Sequence, residues 1–175
     1  MASTETMSAI ALLRQATGAA HDAVDTAFGA HDLSDAAAYR ALLIAHARAL
    51  PAAEAAMAPL PFARTLPLRA PLLATDLAAL GEAMPPPLPF DVGDDAARWG
   101  VLYVVEGSRL GGAMLARQVP ASLPSAYLGA VHGPGQWRAI RSALDDAAAE
   151  ENDAWRDRLL AGAVATFDLY RAALG

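Results

Sequence analysis

The chain has 175 residues, a net charge of −6 and 55% hydrophobic residues, much of that alanine. This length fits one domain with a full core of its own. The alanine content, with few β-branched and aromatic residues, points to helix. There is no cysteine and, among 13 basic residues, no lysine. Disulfides, thiolate nucleophiles, iron–sulfur clusters, Cys-type zinc sites and cofactor attachment through thioethers are therefore excluded, and an anion must be held by arginine, histidine or backbone amides.

No basic stripe interrupts the acidic balance, which argues against nucleic-acid binding. Residues Met1 to Ala9 lack the basic and apolar regions of a signal peptide, and no apolar run has the length of a membrane span. The expected location is the cytoplasm.

In chain order, Thr6 or Ser8 can cap a first helix reaching about Phe28. Ile10, Leu13, Thr17, His21 and Val24 recur at three- and four-residue steps and share one face. Gly29 stops this helix. Ser34 is the expected cap of a second helix over roughly Asp35 to Met57, with an apolar stripe of Leu42, Leu43 and Leu50. Pro59-Leu60-Pro61 breaks the chain. Leu68 to Leu80 reads as a shorter helix with Pro71 in its first turn. Met84-Pro85-Pro86-Pro87-Leu88-Pro89 is a stiff connection, not a domain boundary, because neither half alone has enough apolar periodicity for a core. Asp94 or Asp95 opens a helix running to about Val119 and closed by Pro120. Ser122 to Leu128 reads as a short helical piece. Helices over Gln136 to about Ala149, after Pro134, and over Asn152 to Leu174 complete an all-α, single-domain bundle.

The segment Gly100 to Val119 carries the strongest signal. Gly100, Gly107, Gly111 and Gly112 interrupt a helical pattern at about 0.5–1 kcal/mol each relative to alanine, roughly 2–4 kcal/mol together. At 100° per residue, Gly100, Val104, Gly107 and Gly111 fall in one narrow arc. Spacing alone allows either close helix–helix packing or a groove in which a ligand touches backbone. His21, on the apolar face of the first helix, is either a core histidine or a ligand; His46 on the second helix is its rival. His31 and His132 fall in turns.

A neutral imidazole is a good iron ligand, and a glycine-faced helix leaves room for oxygen on the opposite side. The two helices together suit a flat haem macrocycle held between them. Arg14, two turns before His21, can reach a propionate, and Arg138 and Arg141 are further candidates. No His-x-x-x-His or Glu-x-x-His pattern offers another metal site, and Ser108 has no histidine near it in sequence to make it a nucleophile.

Leu13-Arg14-Gln15-Ala16-Thr17 with His21 and Asp25 resembles the proximal helix of haem oxygenases. Val101 to Gly112, containing Glu106-Gly107-Ser108-Arg109-Leu110-Gly111-Gly112, resembles their distal helix in the bacterial, bacteriophytochrome-associated branch. The Tyr39 region, Trp137 and the closing helix extend the resemblance over nearly the whole chain. It implies an all-helical haem oxygenase-like fold and oxygen- and electron-dependent opening of haem to biliverdin, carbon monoxide and free iron. It implies His21 as the iron ligand and Gly107 and Gly111 in backbone contact with haem. Thr17, Tyr103, Gly112 and a propionate-binding Arg14 or Arg138 are expected around it. Gly107, Ser108 and Gly111 are the expected catalytic residues; Ser108 stands where vertebrate-type members carry an aspartate that orders water, so the water must be organised by other groups, with Ser108 and Tyr103 as candidates. Electrons must come from an external donor such as a ferredoxin, a reductase or ascorbate, since the chain has no flavin or nicotinamide fingerprint. A bacteriophytochrome is the implied biliverdin acceptor. The competing expectation is a haem-binding or haem-transfer protein of the same fold that leaves haem intact.

Overall fold

The computed structural model describes residues 7–175. It contains six α-helices: α1 (Ala9–Gly29), α2 (Ala36–Met57), α3 (Ala70–Ala79), α4 (Asp95–Ala116), α5 (Gln136–Ala148) and α6 (Asp153–Ala173). A 3₁₀ turn, Ala63–Thr65, precedes α3. No strand occurs among the described residues, and no helix among them is long and apolar enough to cross a membrane.

Helix starts follow side-chain chemistry. Ser8 accepts from the Ala11 amide at 3.2 Å, Asp94 from Ala97 at 3.0 Å, and Asn152 from Trp155 at 2.9 Å. Each satisfies an amide that the first turn leaves without an intrahelical partner. Thr6, the alternative cap of α1, lies outside the described residues. Two expectations fail. Asp35, not Ser34, caps α2 through Ala38 at 2.8 Å, because the Ser34 hydroxyl is engaged with Asp32 at 2.6 Å. Ser122 to Leu128 forms turns rather than helix. There the Asp76 carboxylate on α3 accepts from the amides of Ala126 and Tyr127 at 3.1 and 2.8 Å, removing the need for helical bonds.

Pro51 lies inside α2, where the missing amide breaks one helical bond. Dense burial of Ala47, Ala49, Leu50, Ala52 and Ala53 offsets this. The proline-rich connector docks close by: the Leu88 amide donates to the Arg48 carbonyl at 2.8 Å, and Met84, Leu88, Phe90 and Val92 pack on the main core. The connector is therefore part of the packed structure.

The two central helices are α4 and α6, which pack extensively on each other. At their crossing, a Cβ on Gly100 would collide with the Leu159 carbonyl of α6, and one on Gly162 with the Ala97 carbonyl of α4. The close-packing reading thus holds for Gly100. Because both obstacles are backbone, Gly100→Ala is expected to lower stability by at least about 2 kcal/mol. A thermal melt of that variant within experimental error of wild type would contradict this. Beyond the crossing, α1 packs on α6 and α5, and α4 packs on α2 and α5.

Candidate active site

On α4, the arc read from the sequence divides. Gly100 is buried in the α6 crossing. Gly111, three turns on, has no atom within 4 Å of the position its Cβ would take, and Gly107 meets only the ring edge of Trp137 at 3.5 Å. Gly112 faces the other way, its Cβ position 3.2 Å from the Leu128 carbonyl. It is a packing glycine and is not brought to the groove. Leu110 and Met114, 53% and 68% exposed, fall in the same helical arc as Tyr103 and Gly107. Two large apolar side chains beside bare backbone make a surface suited to a flat apolar group. Sequence reading missed these two, although the same wheel that placed the glycines places them.

On α1, His21 is 59% exposed at its side chain, and its Nδ1 lies 3.2 Å from Asp25 Oδ2 one turn on. Its ring meets Phe167 of α6 edge-on, at 6.0 Å and 73°. The carboxylate lies on the Nδ1 side of the ring, which leaves Nε2 as the nitrogen turned away from it. Thr17 is buried and its hydroxyl donates to the Leu13 carbonyl of its own helix at 2.7 Å, so that hydroxyl is already committed.

His46 has the opposite character. Phe28, Tyr127 and Tyr170 surround its ring, and its Nδ1 lies 2.6 Å from the Tyr127 hydroxyl. Burial, with smaller contributions from Arg69 and His31, pushes its pKa down to about 3. A folded-state value below the unfolded one, near 6.5, means that the unfolded chain takes up a proton first as pH falls. Stability from this group is complete above about pH 6.5 and is lost progressively towards pH 3, by at most about 1.4 kcal/mol per pH unit. Urea melts at pH 7 and pH 4.5 should differ accordingly, and His46→Gln should flatten that dependence. An unchanged slope in the variant would contradict the assignment.

Tyr103 is partly buried and its phenol pKa is raised by burial, against the opposing pull of Arg14 and Arg141. The positive charges of these two arginines, from α1 and α5, are thus felt at Tyr103 of α4. Neither makes an ion pair among the described residues, and Arg141 Nε is buried without a hydrogen-bond partner. Arg138, like Arg14, is exposed.

Behind the groove runs a buried polar layer that sequence reading did not foresee. Glu106 is 1% and Arg109 3% exposed at the side chain, with Arg109 Nε donating to Glu106 Oε2 at 2.7 Å. His132 Nε2 lies 2.9 Å from the same oxygen. Arg69, at the start of α3, donates to the Val105 carbonyl at 2.6 Å and to Ser108 Oγ at 2.8 Å. Its own amide donates to Glu54 Oε1 at 2.7 Å. Ser108 Oγ donates in turn to the Val105 carbonyl at 2.7 Å. Ser108 is thus held on the α3 side of α4 by a guanidinium, and Gly107 and Gly111 present bare backbone to the groove. Among the described residues no cluster of His, Asp and Glu could hold a bare metal ion.

No protein-family model matches the chain. A "Heme oxygenase" of Xanthomonas campestris pathovar campestris is 34% identical over 113 residues, 61% of this chain and 67% of that protein. The heme oxygenase of Neisseria meningitidis, solved in NO- and CO-bound forms, superposes with a TM-score of 0.81 at 24% identity, covering 97% of this chain and 91% of that one. The second likeness establishes the all-helical fold. The first, on top of a histidine helix and a glycine helix in the expected order, establishes the lineage: the chain belongs to the haem oxygenase family.

Proposed function

We propose that the chain degrades haem to biliverdin, carbon monoxide and free iron, with the macrocycle seated between α1 and the Gly107–Met114 face of α4 and with His21 Nε2 as the iron ligand. Two observations support this: an exposed imidazole on α1 with a carboxylate 3.2 Å from its Nδ1, and a stretch of α4 where Gly111 has no neighbour within 4 Å of its Cβ position. The residues present fit haem. Leu110 and Met114 offer apolar contact, and the buried partnerless Nε of Arg141 fits a carboxylate such as a propionate.

Haem is both the substrate and the group that activates oxygen. The chain contributes position and exclusion. Asp25 fixes the tautomer and orientation of His21, and Phe167 limits the tilt of its ring. Arg14 and Arg141 orient the propionates. Backbone at Gly107 and Gly111 leaves space for a diatomic ligand that any Cβ-bearing residue would narrow. The Arg69–Ser108 hydrogen bond supports α4 from behind, at the position where vertebrate-type members carry an aspartate. Electrons come from an external donor, since the chain carries no flavin or nicotinamide fingerprint and no thiol. The form of the Glu106 to Gly112 motif supports a bacteriophytochrome as acceptor of the product.

Haemin titrated into the protein should give a saturable Soret complex at equal stoichiometry. Addition of ascorbate or a reductase under oxygen should then bleach the Soret band as bilin absorption rises. A haem complex stable to reductant and oxygen would contradict the reading.

A further inference from the structure

The glycine face of α4 is not uniform. At Gly107 the ring edge of Trp137 stands 3.5 Å from the missing Cβ, and at Gly111, one turn further, nothing lies within 4 Å. The indole is held from behind. It stacks on His132 at 5.6 Å with 19° between the planes, and it lies 6.0 Å from the Tyr103 ring. His132 is itself fixed by Glu106, which Arg109 pairs. The indole therefore lies against a ring that is itself held in a buried polar network, which limits its movement.

We infer that Trp137 determines which edge of the macrocycle is opened, an inference that rests on the haem-binding reading above. The indole covers the edge beneath Gly107 and Tyr103 and denies it to a small oxidant, so that cleavage falls on the edge left accessible towards Gly111. His132 is the positioning residue: it sets the angle of the indole and does not itself meet the substrate.

The test compares wild type with Trp137→Ala, Trp137→Phe and His132→Ala, each loaded with haemin and turned over with ascorbate, the biliverdin isomers being separated by chromatography. Proton NMR of the haem methyl groups in the cyanide complexes reports the seating of the macrocycle independently of turnover. Wild type should give one dominant isomer. Trp137→Ala should raise a second isomer by about tenfold relative to the first, the change expected when a steric bias of this size is lost. Trp137→Phe should keep the original distribution, and His132→Ala should fall between. The methyl pattern should match wild type throughout.

An unchanged distribution in Trp137→Ala overturns the inference. So does a changed distribution accompanied by a reoriented macrocycle, because seating and not shielding would then set the outcome. If Trp137→Ala does not fold, His132→Ala decides: a wild-type distribution there overturns the proposal. Failure of the haem reading itself looks different, since wild type would then form no Soret complex.

Discussion

His21→Ala is expected to abolish the wild-type haemin spectrum and reduce biliverdin formation to below about 1% of wild type. Loss of a positioning partner behind a ligand already costs 10–100-fold in typical metal sites, and loss of the ligand itself costs more. The fold should survive, because the side chain is 59% exposed and, among the described residues, its ion-pair and ring contacts are with Asp22, Asp25 and the edge of Phe167. Melting temperature should therefore stay close to wild type, and added imidazole should restore part of the spectrum. His46→Ala should do the reverse. Its ring fills a core site among Phe28, Tyr127 and Tyr170, so truncation should cost about 2–4 kcal/mol and leave the haem spectrum intact. Loss of the spectrum in the His46 variant and its retention in the His21 variant would reverse the ligand assignment.

Glu106→Ala is expected to be the most destabilising single change in the site. It removes the carboxylate paired with Arg109 at 2.7 Å and leaves a guanidinium that is 3% exposed without its counter-charge. Breaking a buried pair from one side typically costs about 3–5 kcal/mol. For a chain of this length that corresponds to a fall of roughly 10 °C in Tm. Neutral Arg109 partners remain in the carbonyls of Pro67 and Ala130, but they cannot replace the charge. Glu106→Gln keeps the shape and one acceptor, and should lose less. The effect should also reach the groove, because His132 shares the same oxygen and supports Trp137. A melt of Glu106→Ala within about 2 °C of wild type would show that the buried network contributes far less than its geometry implies.

The sequence carried the helices because alanine, apolar periodicity and polar caps all act locally. Asp94 and Asn152 lie where their chemistry requires, and α1, α4 and α6 end within a few residues of expectation. What escaped depends on distant partners. The turns at Ser122 to Leu128 take their amide acceptor from Asp76, about 50 residues away. The burial of Glu54, Glu106, Arg69 and Arg109 comes from helices packing across the fold and has no local signature. The glycine arc was legible as an arc, but not its division: α6 fills the space at Gly100 and leaves the space at Gly111. Arg138 and Arg141, three residues apart on α5, are indistinguishable by spacing, and only packing buries the Nε of Arg141 while Arg138 stays exposed.

A crystal structure of the haemin complex tests the central claim most directly. It should place iron on His21 Nε2, the macrocycle against Gly107, Leu110, Gly111 and Met114, and the propionates beside Arg14 and Arg141. Iron bound by any other residue, or haemin lying outside the α1–α4 groove with His21 still paired to Asp25 and facing water, would contradict it.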